Sequence, residues 1–503
     1  MTASFRILRA LPRATMAVLA AAAFAAAAAP GAAAQDSFSF DEDELFGAED
    51  AVVETVAESA EGSAVRGLLV SESVRIGGSF VGKASGSWTW DDPWGGSFDL
   101  AEPDSYGLSP VLSALVFFDG RPTDSTRFYG SVKTAWPFVS STSVLTGAEY
   151  MPESAFPAAE PSVATSSTTL GLPNLEIFEL FSDFSWNDSL YLRFGKQTIN
   201  WGVGYFFSPA NVMNLEAIDP FDPEAQLEGP VALRAHYPVP GSQHNLWGYA
   251  VFDSANMRPQ DTALAAKAEF VVGGWELGAG GYYKNEEPLR GVLTASGSVG
   301  QLSLFGEAAL ARGSDRTWVT EVSPALAANR FVATETDEES PFFKGTAGFM
   351  YSHSDSNVTV MGQYLYDGEG YSSDDREARI AEALDAEDAI KALLAYTVDD
   401  VDAAYSGFLK GLILNSGRHY AALSFSKSEL LLDDLSFSLF AIGNLSDLSA
   451  LLRPSLSYAF FDGLSASLSA TFALGFDDGE YVVLYDGRAM ALSVAVTLGS
   501  GAF

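Results

Sequence analysis

Residues 490–498 read Met490-Ala491-Leu492-Ser493-Val494-Ala495-Val496-Thr497-Leu498. Every second residue is large and apolar, and those between are small or hydroxylated. Successive side chains of a strand point to opposite faces, so this spacing makes one face greasy and leaves the other free to meet water. Leu190, Leu192 and Phe194 alternate with Tyr191, Arg193 and Gly195 in the same way. One such strand would suit a buried sandwich equally well. Runs of about ten residues of this kind, separated by turn residues and repeated from residue 68 to the C-terminus, are the pattern of a transmembrane β-barrel.

The connections carry as much weight as the strands. Asp119-Gly120, Asn187-Asp188, Gly273-Gly274, Gly300-Gln301 and Asp462-Gly463 are turn residues that hairpins favour. Between those hairpins lie longer connections, at Pro137–Asn174, Asn200–Pro230, Gly313–Pro341 and Asp367–His419. Bacterial barrels have short periplasmic turns, long outer loops and an even strand number. The expected fold is therefore all-β: an antiparallel transmembrane barrel of about 18 strands (16–20) with long extracellular loops and both termini in the periplasm. Its first strand is expected at Arg75–Trp90, followed by Val111–Phe118, with the fifth at Leu190–Ile199 and the last at Met490–Leu498.

Ahead of the barrel, Arg6, Arg9 and Arg13 precede an alanine-rich run from Met16 to Ala29, and Ala32-Ala33-Ala34 stands before Gln35. Residues 1–34 are expected to be a secretory signal peptide. Residues 35–67 are acidic and poor in apolar residues, and are expected to form a disordered periplasmic segment. The barrel takes residues 68–503.

Hydrophobic residues make up 48% of the chain and aromatics 13%, yet this apolar content is spread over short alternating pieces. There is no cysteine, which excludes disulfides and thiolate metal sites. His236, His244, His353 and His419 are scattered without ligand spacing. No metal or cofactor is expected, and no catalytic grouping of the kind an enzyme needs stands out. The formal net charge of -37 makes nucleic acid a poor partner and favours cationic solutes.

One segment departs from strand period. Ile380, Leu384, Ile390, Leu393 and Leu394 recur at helical spacing among the charges of Asp374–Tyr396. A short solvated helix on an outer loop is expected there.

The most distinctive stretch runs from Arg193 to Pro220. In it Arg193, Gly195, Lys196, Gln197, Trp201 and Gly202 are followed by Asn211, Asn214, Asp219 and Pro220. This resembles a segment of the DUF1302-type family of Gram-negative, porin-like outer-membrane barrels. The resemblance covers roughly thirty residues and implies a barrel without implying a particular solute. Arg193 shares a face with Gln197 and points away from Leu192 and Phe194, since a charge in lipid would cost about 2–4 kcal/mol. Gly202, Gly204 and Pro209 suit a loop of fixed shape that folds inward and narrows the lumen. Arg193, Gln197, Asn200, Asn211, Asn214 and Asp219 are the candidate pore-lining or constriction residues. The alternative places Trp201, Tyr205, Phe206 and Phe207 in an aromatic belt at the membrane interface and has Arg193 merely pair with a lumen carboxylate.

The functional expectation is a passive outer-membrane channel for small hydrophilic or amphipathic solutes, with a preference for cations. Two alternatives are a transporter of hydrophobic compounds of the fatty-acid kind and a surface-exposed adhesin. The expected partners are outer-membrane lipid, the permeating solutes, and the barrel assembly machinery, which would read a last strand ending in Phe503.

Overall fold

The protein is described by a computed structural model. It covers residues 70–71, 74–94, 98–136, 175–187, 189–214, 218, 227–252, 258–324, 331–396, 398, 400–461, 463–485 and 487–502. Asp219, Pro220, Phe503 and the stretches 1–34 and 35–67 lie outside these residues.

A two-residue strand, β1 (Val70–Ser71), leads into β2 (Val74–Trp90), β3 (Ser105–Thr123), β4 (Thr126–Trp136), β5 (Glu176–Trp186) and β6 (Leu190–Lys196). β7 (Val231–Pro238), β8 (Asn245–Phe252), β9 (Ala263–Val272), β10 (Trp275–Tyr283), β11 (Leu289–Val299) and β12 (Leu302–Arg312) follow. A separate hairpin is formed by β13 (Thr317–Val322) and β14 (Val332–Thr336). The wall resumes with β15 (Pro341–His353), β16 (Val358–Asp367), β17 (His419–Lys427), β18 (Leu435–Asn444), β19 (Ser449–Phe461), β20 (Leu464–Leu474) and β21 (Met490–Ala502). Each wall strand pairs antiparallel with its sequence neighbours, and β21 pairs back onto β2. The result is a closed barrel of 18 strands, β2–β12 and β15–β21, whose wall leaves no unpaired sheet edge to lipid.

Loop length alternates as the sequence requires. Two-residue turns such as Gly273-Gly274 and Gly300-Gln301 close one end, while 197–230, 313–340, 368–418 and 475–489 crowd the other. Val74 pairs with Gly120, close to the β3–β4 turn, so the barrel begins and ends at the short-turn end. The outward positions of successive strands carry Phe118, Phe128, Phe184, Phe194, Leu233, Leu246 and Phe270, all exposed. An apolar band of this kind is stable only against lipid. The chain is an outer-membrane-type β-barrel.

Three expected boundaries move. β3 runs on through Asp119-Gly120 to Thr123, so the turn sits at Asp124-Ser125. β6 stops at Lys196 rather than Ile199, because the chain leaves the wall after Gly195. β21 runs on past Leu498 to Ala502 with a bulge at Leu498: Thr497 opposes Lys83, and Gly499 opposes Gly82.

The loop helices also differ from expectation. Ser373–Asp385 (α1) and Glu387–Leu394 (α2) replace one continuous helix, and Val401–Ile413 (α3) follows. Ser372 caps α1 by accepting from the amide of Asp375, and Asp400 caps α3 by accepting from that of Ala403. These helices are not merely solvated. Ile380, Ile390 and Leu394 are buried, and the last two share a core with Phe331, Val332 and Phe408, contributed by α3 and the β13–β14 hairpin. A short fourth helix, α4 (Glu480–Leu484), lies in the last long connection.

Candidate functional site: a segment across the lumen

Gly195 begins the site. Its φ of +139° suits glycine, and a Cβ there would stand 2.1 Å from the carbonyl oxygen of Leu180. Lys196 then anchors the turn through an ion pair with Glu228 and a 2.8 Å bond to the carbonyl of Ile177. Gln197 is fully buried, donating to the carbonyl of Ala232 at 3.0 Å, and Thr198 donates to that of Leu227 at 2.6 Å. Beyond these two residues the chain enters the barrel.

Asparagines close the segment on itself. The side-chain oxygen of Asn211 accepts from the amides of Trp201 and Gly202, each at 2.7 Å, and that of Asn214 accepts from Ile199 at 3.2 Å. Asn-to-backbone bonds replace the pairing that an irregular backbone lacks.

The far wall completes the satisfaction of these groups. Glu307 on β12 accepts from the amides of Val203 (2.6 Å), Gly204 and Ala210 (2.8 Å), and from the hydroxyl of Ser208 at 3.0 Å. Gln363 on β16 accepts from Tyr205, Phe206 and Phe207 and donates back to the carbonyl of Phe207. Gly204 approaches both side chains so closely that a Cβ would lie 2.8 Å from the Gln363 amide. Lys267 on β9 donates to the carbonyl of Trp201 at 2.9 Å while paired with Glu269.

Strand order gives the path. The segment leaves β6, the fifth strand of the wall, and is bound by β12 and β16, the eleventh and thirteenth. Phe206 packs on Phe440 of β18, the fifteenth strand, at 5.6 Å between ring centroids. With nine strands making a half circumference, residues 197–214 cross the lumen. Behind them an apolar core forms inside the barrel, with Trp201, Met213, Ala232, Tyr249, Val292 and Ala309 among its members. Glycine in β10 makes that core possible, since a Cβ on Gly280 would come within 2.9 Å of the Trp201 ring.

Two adjoining arcs of the inner wall differ in chemistry. On β3–β6, Phe117, Tyr129 and Phe181 stack in a row, and Arg193 lies 3.8 Å above the Phe181 ring. Asp183 receives Arg193 at 2.6 Å and Arg127 at 3.7 Å, and Arg127 also reaches Asp119 at 3.0 Å. On the adjoining arc a row of serines runs directly strand to strand: Ser426, Ser438, Ser455, Ser469, Ser493 and Ser87, on β17–β21 and β2. A second row holds Ser436, Ser457 and Ser467, then Ala495, then Ser85 and Ser109.

The candidate residues fall into separate roles. Arg193 faces inward, with 5% of its surface exposed, and is paired with Asp183. Gln197, Asn211 and Asn214 shape the segment, whereas Asn200 is exposed. Trp201 and Phe206 are buried inside the barrel at 1% and 2% exposure, which replaces the interface-belt alternative. Sequence reading missed Glu307 and Gln363. Each occupies an inward position in an ordinary alternating strand, and nothing local marks it as the partner of a segment about one hundred or more residues away.

No protein-family model matches the chain, and no curated protein matches it in sequence. Solved structures similar to it are outer-membrane porins. Pseudomonas aeruginosa OccK11 (OpdR) aligns over 85% of this chain and 96% of its own, at 9% identity and a TM-score of 0.42. Acinetobacter baumannii OccAB1 aligns over 86% and 98%, at 11% identity and a TM-score of 0.45. Salmonella typhi OmpF, solved in complex with daunomycin, aligns over 86% and 97%, at 9% identity and a TM-score of 0.35.

Proposed function

We propose that this chain is an outer-membrane channel through which small hydrophilic solutes diffuse, with residues 197–214 as its constriction. The observation that carries the reading is the crossing segment itself. A wall carboxylate, a wall amide and two asparagines satisfy its backbone, so it holds its shape in the middle of a wet barrel. Such a segment narrows the passage, and the groups left facing the passage select by size and hydrogen bonding. The serine rows offer hydroxyls without charge, which suits polar solutes that keep much of their hydration. On the adjoining arc the arginines and carboxylates are paired with one another, so that stretch of wall is polar with its charges largely compensated.

The DUF1302-type resemblance belongs to this reading. Six of the residues that carry it build the constriction: Gly195 turns the chain, Lys196 and Gln197 anchor it, Trp201 seats it, and Asn211 and Asn214 close it. A cation preference, expected from the net charge, is part of the proposal and is read from reversal potentials. Residues 1–34 as an export signal, and Phe503 as an assembly signal, complete it.

Planar-bilayer recording of the refolded chain tests the reading. Discrete ohmic steps are expected, together with faster liposome swelling in small sugars than in large ones. A barrel that inserts and conducts under no condition would refute it.

A further inference from the structure

Two long connections and the short β18–β19 turn meet inside the mouth, on the side opposite the origin of the constriction. Helix α1 contributes Arg376, the β18–β19 turn contributes Asp447, and α4 contributes Glu480. All three are buried. Arg376 reaches Asp447 at 2.9 Å, the Ser416 hydroxyl at 2.8 Å and the carbonyl of Asp478 at 3.0 Å. Asp447 also accepts from the backbone amide of Glu480 at 2.9 Å. Glu480 accepts from the amide of Asn415 (2.9 Å), the side-chain amide of Asn444 (2.7 Å) and the hydroxyl of Tyr420 (2.9 Å). Tyr420, Asn444 and Ser449 project from the inner faces of β17–β19, so α4 is seated against the inside of the wall. The Tyr420 ring in turn lies 6.5 Å from that of Phe207, in the constriction.

The charges do not balance. Arg376 pairs with Asp447, while Glu480, buried beside them, is held by the neutral donors Asn415, Asn444 and Tyr420. We propose that this seat is a proton-operated latch on the mouth of the channel: with Glu480 protonated, α1 and α4 stay docked, and with Glu480 ionised, the second buried negative charge beside Asp447 drives them out and opens the lumen. The inference rests on the channel reading above.

The groups facing Glu480 are Asp447 from the turn, Arg376 behind Asp447 from α1, Tyr420 from β17 and Tyr481 beside it on α4. Arg453 of β19 lies further along α4, near Tyr485. Burial pushes the Glu480 carboxyl up from 4.5 to about 7, and Asp447 adds to the rise against the opposing bond from Asn415. A released carboxyl returns to its ordinary range. The docked state therefore binds the proton more tightly. Its advantage is complete below about 4.5, fades as pH rises, and is gone above about 7. Over that interval the open-to-closed ratio rises about 300-fold, near tenfold per pH unit.

Single-channel recording of the full chain from pH 4.5 to 8.5 provides the test. Wild type is expected to open more as pH rises. Glu480→Gln, which keeps an acceptor and cannot ionise, is expected to stay largely closed throughout. A wild-type open probability independent of pH, or a Glu480→Gln variant that follows wild type, overturns the latch. Should the variant fail to fold, hydrogen exchange in wild type, corrected for intrinsic rates, decides instead. Protection of α1 and α4 is expected to fall from pH 5 to 8, and unchanged protection overturns the proposal. Steady conductance at every pH would leave the channel standing and remove the latch. Changing protection in a barrel that never conducts would do the reverse.

Discussion

Removing the Glu307 side chain should release the constriction while leaving the barrel intact. The carboxylate is 5% exposed and serves the amides of Val203, Gly204 and Ala210 together with the hydroxyl of Ser208. A hydrogen bond to a charged group contributes about 1.5–3 kcal/mol, and a buried donor left without a partner costs a comparable amount. Water in the lumen recovers part of this. For Glu307→Ala a net loss of about 3–6 kcal/mol in the docked position is therefore expected, which moves the segment toward a displaced state by roughly 100-fold or more. Glu307→Gln keeps one oxygen for Val203 and Gly204 and loses chiefly the Ala210 bond, so it should cost about 1–3 kcal/mol. Single-channel conductance is the assay. The alanine variant should show larger steps and more open-channel noise, and the glutamine variant should fall between it and wild type. The strand ladder does not depend on this side chain, so heat-modifiable gel mobility should be unchanged. An alanine variant with the wild-type conductance histogram would show that residues 197–214 do not bound the conducting path.

Other perturbations address different parts of the structure. Gly280→Val should push Trp201 off β10, since even a Cβ would lie within 2.9 Å of its ring; a strain of about 1–3 kcal/mol is expected, with altered conductance and Trp fluorescence. Ser469→Asp places a charge in the middle of the serine row and should shift the reversal potential toward cations, whereas an unchanged potential would remove that row from the passage. Val494→Arg puts a cation on the outward face of β21 and should cost about 2–4 kcal/mol in urea unfolding from detergent or bilayer; a neutral outcome would mean that this face does not meet lipid.

Much of the wall was legible because alternation and turn chemistry are local. The eighteen strands coincide with eighteen alternating runs, and the alternation of short and long connections matches the two ends. Misplaced boundaries have local causes that periodicity does not encode. Gly195 leaves the wall through a positive φ, and β3 continues through a dipeptide that reads as a turn. The Asp374–Tyr396 helix was visible from its spacing, but its burial was not. Its apolar stripe is covered by α3 and by a hairpin about fifty residues earlier in the chain.

The amino-acid order alone determined a cylinder with a greasy exterior, its strand number to within two, and which end carries the long loops. These follow from period two and from turn residues, and both act between near neighbours. It also marked the connection after Trp201 as a shaped segment through Gly202, Gly204 and Pro209. Only the tertiary structure decided where that segment goes and what holds it. Glu307, Gln363 and Lys267 meet it from across the lumen, and Arg376, Asp447 and Glu480 meet one another from three separate connections. Barrel closure makes those meetings, because curvature brings together inner-face residues that sequence distance and local pattern leave unrelated.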